Sequence, residues 1–139
     1  MGIKVNITGK NDEIILEKDS ISSIKYISDT PNDSNARATD LNVCLEITGK
    51  IMSQTEDITK KLSFWSLVPS ESDDAYRKLI LEVISAGVVI RKITMPTAFV
   101  IDYEENFDIQ NGTGKFKMLI KQKKEKIENI VIEGGYNAS

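Results

Sequence analysis

The stretch Leu41-Asn42-Val43-Cys44-Leu45-Glu46-Ile47-Thr48-Gly49 decides the fold class. Leu41, Val43, Leu45 and Ile47 occupy alternate positions, and Asn42, Cys44, Glu46 and Thr48 fill the places between. A period of two fits a strand with one face on a core and the other toward water. Gly49 is expected to end or bend that strand. Cys44 lies inside it with no basic neighbour close in sequence, which reads as a packed, inert thiol rather than a nucleophile.

The same alternation recurs on both sides. Ile3, Val5 and Ile7 alternate with Lys4, Asn6 and Thr8, Gly9-Lys10-Asn11-Asp12 reads as a turn, and Ile14 to Glu17 as the returning strand. Ile21 to Ser28 predicts a third strand, with Ile24 and Tyr26 on one face and Ile21 and Ile27 on the other. Downstream, Leu79, Leu81 and Val83 alternate with Ile80, Glu82 and Ile84; Ser85-Ala86-Gly87 turns the chain, and Val88 to Met95 returns. Both faces of these two segments are largely apolar, which predicts strands buried on two sides. Pro96 separates them from a strand over Ala98 to Tyr103. Glu104 to Gly114 reads as a loop, and Lys115 to Gln122 as a strand with Phe116, Met118 and Ile120 on one face. A basic turn over Lys123 to Lys126 leads to a last strand over Ile127 to Glu133.

One segment breaks the pattern. Ser53-Gln54-Thr55-Glu56 has capping-box spacing, and Ile58, Leu62 and Trp65 follow at i, i+4 and i+7. Pro69 stops this helix, and Trp65 reads as a core anchor. The chain holds 20 Ile against 8 Leu, 8 Val and 6 Ala, a balance that favours strand over helix. The expectation is a mainly β fold of eight to ten short strands with one α-helix, built as a single domain over residues 1–139.

Composition excludes several chemistries. Histidine is absent and cysteine occurs once. That removes Ser-His-Asp and Cys-His pairs, histidine metal ligands, multi-cysteine zinc sites and internal disulfides. Asp102, Glu104, Asn106 and Asp108 begin like a calcium loop, but Phe107 stands where Gly is needed and Thr113 where a bidentate carboxylate is needed. Gly112-Thr113-Gly114 lacks the spacing and the Lys-Ser/Thr ending of a phosphate loop. No cofactor is expected. No apolar run is long enough for a membrane span, and Met1 to Lys10 has no apolar core of a signal peptide, which predicts a protein made in the cytoplasm.

Two charged segments stand out. Lys115, Lys117, Lys121, Lys123, Lys124 and Lys126 form a basic strip, close in sequence to Asp102, Glu104, Glu105 and Asp108. The strip has no interleaved aromatics for base stacking, and the net charge of the chain is −3, so sequence-specific nucleic-acid binding is not expected. Separate acidic and basic bands suit head-to-tail contact between copies of one protein. The alternative is a solvated charged face.

The segments Met95 to Asp108, Gly112 to Gln122 and Ile130 to Gly135 resemble small proteins of clostridial prophages and phage-tail-like particles. These belong with the tail-tube proteins and the haemolysin-coregulated protein of type VI secretion. The resemblance covers mainly residues 76–136; before that, only the order of elements agrees. It implies a mainly β fold, a β-barrel or packed β-sheets with one flanking α-helix, and a tail-tube-like domain assembling as a homo-hexameric ring, edge to edge, in a phage tail or contractile injection particle. The role implied is structural, either forming the tube or capping it at a baseplate, and not catalytic. The implied partners are copies of itself and other tube, sheath or baseplate proteins. The implied location is the cytoplasm during assembly and the particle afterwards. The polar loop Asp29 to Asp40 would then reach an adjacent ring, through Asp29, Asn32, Asp33, Asn35 and Arg37. The acidic and basic sets would meet neighbouring subunits or line the lumen. Two other classes stay open from the residues alone: a non-catalytic monomeric adaptor of a prophage or secretion locus, and a small hydrolase with paired carboxylates.

Overall fold

The computed structural model describes residues 1–29 and 41–135. Among them are β1 (Gly2–Thr8), β2 (Glu13–Leu16), β3 (Ile21–Asp29), β4 (Asn42–Ile51), α1 (Glu56–Ser66), β5 (Arg77–Ser85), β6 (Val88–Asp108), β7 (Thr113–Gln122) and β8 (Val131–Glu133). Short 3-10 turns span Asp73–Ala75 and Lys124–Asn129. All eight strands belong to one antiparallel sheet, in the order β2-β1-β5-β6-β7-β4-β3, with β8 paired to β6. Residues from β1 through β7 and α1 share one apolar cluster, so the sheet curls around a single core. This is the mainly β architecture with one flanking helix that the alternation predicts.

β4 behaves as its pattern dictates. Val43, Leu45 and Ile47 are buried, and their neighbours face outward half-exposed. Gly49 does not end the strand, which runs on to Ile51. A Cβ at Gly49 would fall on the Ser20 carbonyl oxygen and the Phe116 ring. The glycine admits a close approach of two neighbours rather than a bend.

Several other expectations need correction, and each has a local cause. In β3 a bulge between Ile21 and Ser23 shifts the alternation by one residue, so Ile21 joins Ile24 and Tyr26 on the core side. β6 is one strand of 21 residues through Pro96, not two segments with a loop after Tyr103. Pro96 sits where the register with β5 shifts, between the Leu79–Met95 and Arg77–Ala98 pairs, so its missing N–H costs the ladder nothing. The buried Gln122 side chain restores order there, accepting the Thr97 N–H at 3.1 Å, while the Lys123 N–H donates to the Thr97 carbonyl at 2.9 Å. The last strand contracts to Val131–Glu133, because Lys124–Asn129 coils into a 3-10 turn.

β5 and the first half of β6 bury one face, not two. Leu79, Leu81, Ile93 and Met95 are in the core, whereas Val88 and Ile90 are exposed. The turn between these strands is Ala86-Gly87, both with positive φ (53° and 77°), the geometry that matches strand twist in a two-residue hairpin.

α1 starts at Glu56, but the capping box does not form. Thr55 is the residue before the first turn, and its hydroxyl closes the preceding turn instead. It accepts the Met52 N–H at 2.8 Å and donates to the Lys50 carbonyl at 3.1 Å. Leu62 and Trp65 face the core as the i, i+4, i+7 spacing requires, and the helix packs on β2 and β6. Trp65 Nε1–H donates to the Ala75 carbonyl at 3.0 Å, which satisfies the one polar group of a buried indole.

Candidate functional site

Register places the charged residues. On the outer face of β6, β7 and β4, Glu104 lies opposite Lys117, Asn106 opposite Lys115, and Lys115 opposite Lys50. Asp102 lies opposite Leu119, which faces Glu46. The Lys117 ammonium is 4.0 Å from Glu46 Oε1. Acidic and basic side chains therefore interleave here, in place of two separate bands. Such exposed pairs fix strand register and contribute little stability each, about 0.2–1 kcal/mol.

Glu105 departs from this set. It sits on the other face, where Tyr103 O–H donates to Glu105 Oε2 at 2.5 Å and reaches the Thr59 carbonyl at 3.4 Å. Tyr103 also stacks on Phe116, with ring centres 6.3 Å apart. Burial, and then the Glu105 carboxylate, push the Tyr103 hydroxyl well above the usual phenol range. The pair ties the β6–β7 hairpin to α1.

Asp108 organises the hairpin turn. Its Oδ1 accepts the Gln110 and Asn111 N–H groups at 3.0 and 3.2 Å, and Oδ2 accepts Asn111 Nδ2–H at 2.8 Å. The Asn111 amides foremost hold this carboxyl below the usual range. Its role is an Asx-type turn. The turn leaves Phe107 61% and Ile109 94% exposed. Sequence alone did not mark Ile109, because a lone apolar residue among polar neighbours has no periodicity to betray it.

The basic strip divides. Lys115 and Lys117 lie near the hairpin turn, whereas Lys121 lies opposite Phe99 on β6 and Cys44 on β4, at the far end of the sheet. Lys123 places its ammonium 4.9 Å from the Tyr76 ring centre, and Lys124 and Lys126 are exposed on the following 3-10 turn. Asp29 ends β3 at this same end, opposite Asn42. Asn32, Asp33, Asn35 and Arg37 lie outside the described residues. Cys44 is half-buried, and burial pushes its thiol up, partly offset by Lys121. A raised thiol is a poor nucleophile at neutral pH.

Beside Lys123, a recess of about 60 Å³ with a mixed polar and apolar lining lies between α1 and the middle of β6. Its walls include Trp65, Val68, Tyr76, Phe99 and Val100. Tyr76 and Phe99 meet edge to face at 5.7 Å. Among the described residues, no cluster of three or more His, Cys, Asp or Glu could hold a metal ion, and no helix is long and apolar enough to cross a membrane.

No family model matches the chain, and no curated protein sequence matches it. Solved structures do. A chain of the anti-feeding prophage baseplate, solved with six-fold symmetry, superposes with a TM-score of 0.57 at 14% identity, covering 95% of this chain and 92% of that one. Hcp1 from Flavobacterium johnsoniae gives 0.54 at 12%, covering 98% and 99%. A chain of the sheath-tube complex of an extracellular contractile injection system gives 0.54 at 6%, covering 95% and 89%. The chain thus has the fold shared by Hcp1 and by chains of the anti-feeding prophage baseplate and of a contractile injection system's sheath-tube complex.

Proposed function

We propose that this chain is a structural subunit of a phage tail or phage-tail-like contractile injection particle, one domain that forms or caps a hexameric tube ring. The observation that carries the reading is the extent of the fold match. It runs nearly end to end in both partners, so one domain of this chain has the fold of one whole matched chain. Two features of the surface support it. Among the described residues, β2 and β3 each have one strand neighbour, and an open edge needs a partner or protection. The outer face of β6, β7 and β4 carries both signs of charge, as a self-associating surface requires. In this reading Asp29, Asn32, Asp33, Asn35 and Arg37 contact the next ring. Asp102, Glu104, Glu105, Asp108 and the six lysines from Lys115 to Lys126 serve subunit contacts or the lumen. The role is structural and non-catalytic, and assembly takes place in the cytoplasm before the particle is complete.

Negative-stain electron microscopy across a concentration series, with native mass to count subunits, tests this. Six-fold rings or tubes are expected. A monomer that persists at every concentration, and also in the presence of the particle's own baseplate proteins, would overturn it in favour of the adaptor.

A further inference from the structure

Asn111-Gly112 is the one Asn-Gly step in the sequence. It falls in the β6–β7 turn, beyond Asp108 and Thr113, the last pair of the ladder. Both residues are exposed, and Gly112 has a positive φ, 63°. A Cβ built on Gly112 would meet nothing within 4 Å. The missing side chain and the open surroundings together leave the Gly112 backbone nitrogen unhindered. A bond from that nitrogen to Asn111 Cγ closes a five-membered ring. Other asparagines are worse placed. Asn6, Asn42 and Asn106 lie within β1, β4 and β6, before Ile7, Val43 and Phe107. Asp108 holds the reacting amide: Asn111 Nδ2–H donates to Asp108 Oδ2 at 2.8 Å, and the Asn111 N–H donates to Oδ1 at 3.2 Å. A hydrogen bond to a carboxylate makes the amide less electrophilic and restrains the rotation that brings Cγ onto the Gly112 nitrogen.

We propose that Asn111 is a site of spontaneous self-modification, in which the Gly112 nitrogen displaces the side-chain amide and Asp108 restrains the reaction. The Gly112 nitrogen attacks Asn111 Cγ, the new C–N bond closes a succinimide, and the Cγ–Nδ2 bond breaks. Nδ2 leaves as ammonia, taking the proton of the Gly112 N–H. Water then adds to one of the two ring carbonyls and opens the ring. Addition at Cγ leaves aspartate at 111. Addition at the Asn111 main-chain carbonyl leaves isoaspartate, whose backbone runs through Cβ and Cγ. One water is consumed and one ammonia released, with no oxidant or reductant. Either product sets a second carboxylate beside Asp108, where a donor stood. The hydrogen bond is lost and like charges repel. Isoaspartate also lengthens the turn by one backbone atom. The turn that displays Phe107 and Ile109 therefore loosens with age, and each copy gains one negative charge. The inference is independent of the ring reading, since it needs the turn alone.

The test is an ageing series. Full-length protein is held in mildly alkaline buffer, sampled over days and mapped by peptide mass spectrometry, with isoaspartate counted by isoaspartyl methyltransferase labelling. Asn106 and Asn111 share the tryptic peptide that ends at Lys115, so Asn106 is an internal reference. Replacement of –NH2 by –OH should accumulate at Asn111 ahead of every other asparagine. Asp108→Ala should speed it at least several-fold. Hydrogen exchange at the Gln110 and Asn111 amides, which Asp108 Oδ1 accepts, should be faster in aged than in fresh protein. No product at Asn111 after the urea-unfolded chain has reacted would show that the folded turn forbids ring closure, and would overturn the site. Equal rates in wild type and Asp108→Ala would overturn the restraint by Asp108. Unchanged exchange in fully modified protein would overturn the loosening of the turn.

Discussion

Gly49 and Phe116 are paired across β4 and β7, and the phenyl ring fills the space that a side chain on Gly49 would need. The Ser20 carbonyl oxygen crowds the same spot while accepting the Lys50 N–H at 2.9 Å. Neither neighbour can yield cheaply, because one is backbone and the other a fully buried ring. Gly49→Ala should lose about 2–3 kcal/mol by urea unfolding, the upper part of the range for overpacking. A loss under about 0.5 kcal/mol would show that β4 has room to shift.

Ala86 holds a left-handed conformation, φ 53°, that alanine adopts only against a steric penalty. Asparagine tolerates the same geometry in a two-residue hairpin turn. Ala86→Asn should therefore stabilise the protein by roughly 0.5–1 kcal/mol, raising the urea midpoint with no change in slope.

Arg77 is 95% buried and lies 5.3 Å from the centre of the Trp65 ring. Its guanidinium donates to Asp74 Oδ2 at 2.7 Å and to the Asp74 carbonyl at 3.0 Å, and Asp74 Oδ1 accepts the Lys10 N–H at 3.1 Å. Burial alone would raise the Asp74 carboxyl, but the Lys10 amide and Arg77 together bring it below its ordinary value. A carboxyl lowered on folding stabilises above the unfolded value of about 3.9 and loses that contribution as pH falls through the folded value. Asp74→Ala should cost about 2–3 kcal/mol at pH 7, in line with charged hydrogen bonds. Its stability should then fall less steeply than wild type below pH ~4. Parallel acid-denaturation curves would argue against the pairing.

Tyr103 presents the opposite sign. Its hydroxyl is raised by burial and by Glu105, so its contribution is complete below the unfolded value of about 10 and lost as pH climbs toward the folded one. Tyr103→Phe should cost about 1 kcal/mol at pH 7 and flatten the decline in stability above pH ~10. Absorbance titration of the phenolates should show one late-ionising group fewer than in wild type.

Lys121, Lys123 and Lys124 gather at the end of the sheet away from the hairpin turn. Changing all three to Glu should weaken assembly, read as a higher concentration for ring or stack formation. Raised salt should narrow the gap to wild type, because exposed charges are screened over ~8 Å at physiological ionic strength. Assembly equal to wild type at low and high salt would make the strip a solvated face.

What the sequence makes legible is periodic. Val43, Leu45 and Ile47, like Phe116, Met118 and Ile120, need one buried face and carry it in plain alternation. What it hides depends on cross-strand partners. Glu104 to Asp108 look like loop because charge is abundant there, yet Lys115 and Lys117 stand opposite and make it strand. Pro96 looks like a terminator, yet a bulge and the Gln122 side chain accommodate it. The bulge at Ile21–Ser23 and the idle capping box are of the same kind. The charged candidates were legible as residues, but their interleaving followed only from register. The exposure of Ile109 and the recess between α1 and β6 were not legible, because one is aperiodic and the other joins segments distant in sequence.

β6 pairs with β5 along its first half and with β7 along its second, without interruption of the chain. Tension applied at the hairpin turn, along the strands, draws β6 and β7 together and passes to the rest of the sheet through the β7–β4 and β6–β5 ladders. The rungs of those ladders bear it in shear, sharing the load, rather than opening one after another as in peeling. The unbroken backbone of β6 carries its share across Pro96 into the β5 ladder. Mechanically the strand works as a tie rod through the subunit, and resistance to axial pull should far exceed resistance to a sideways pull on the same turn.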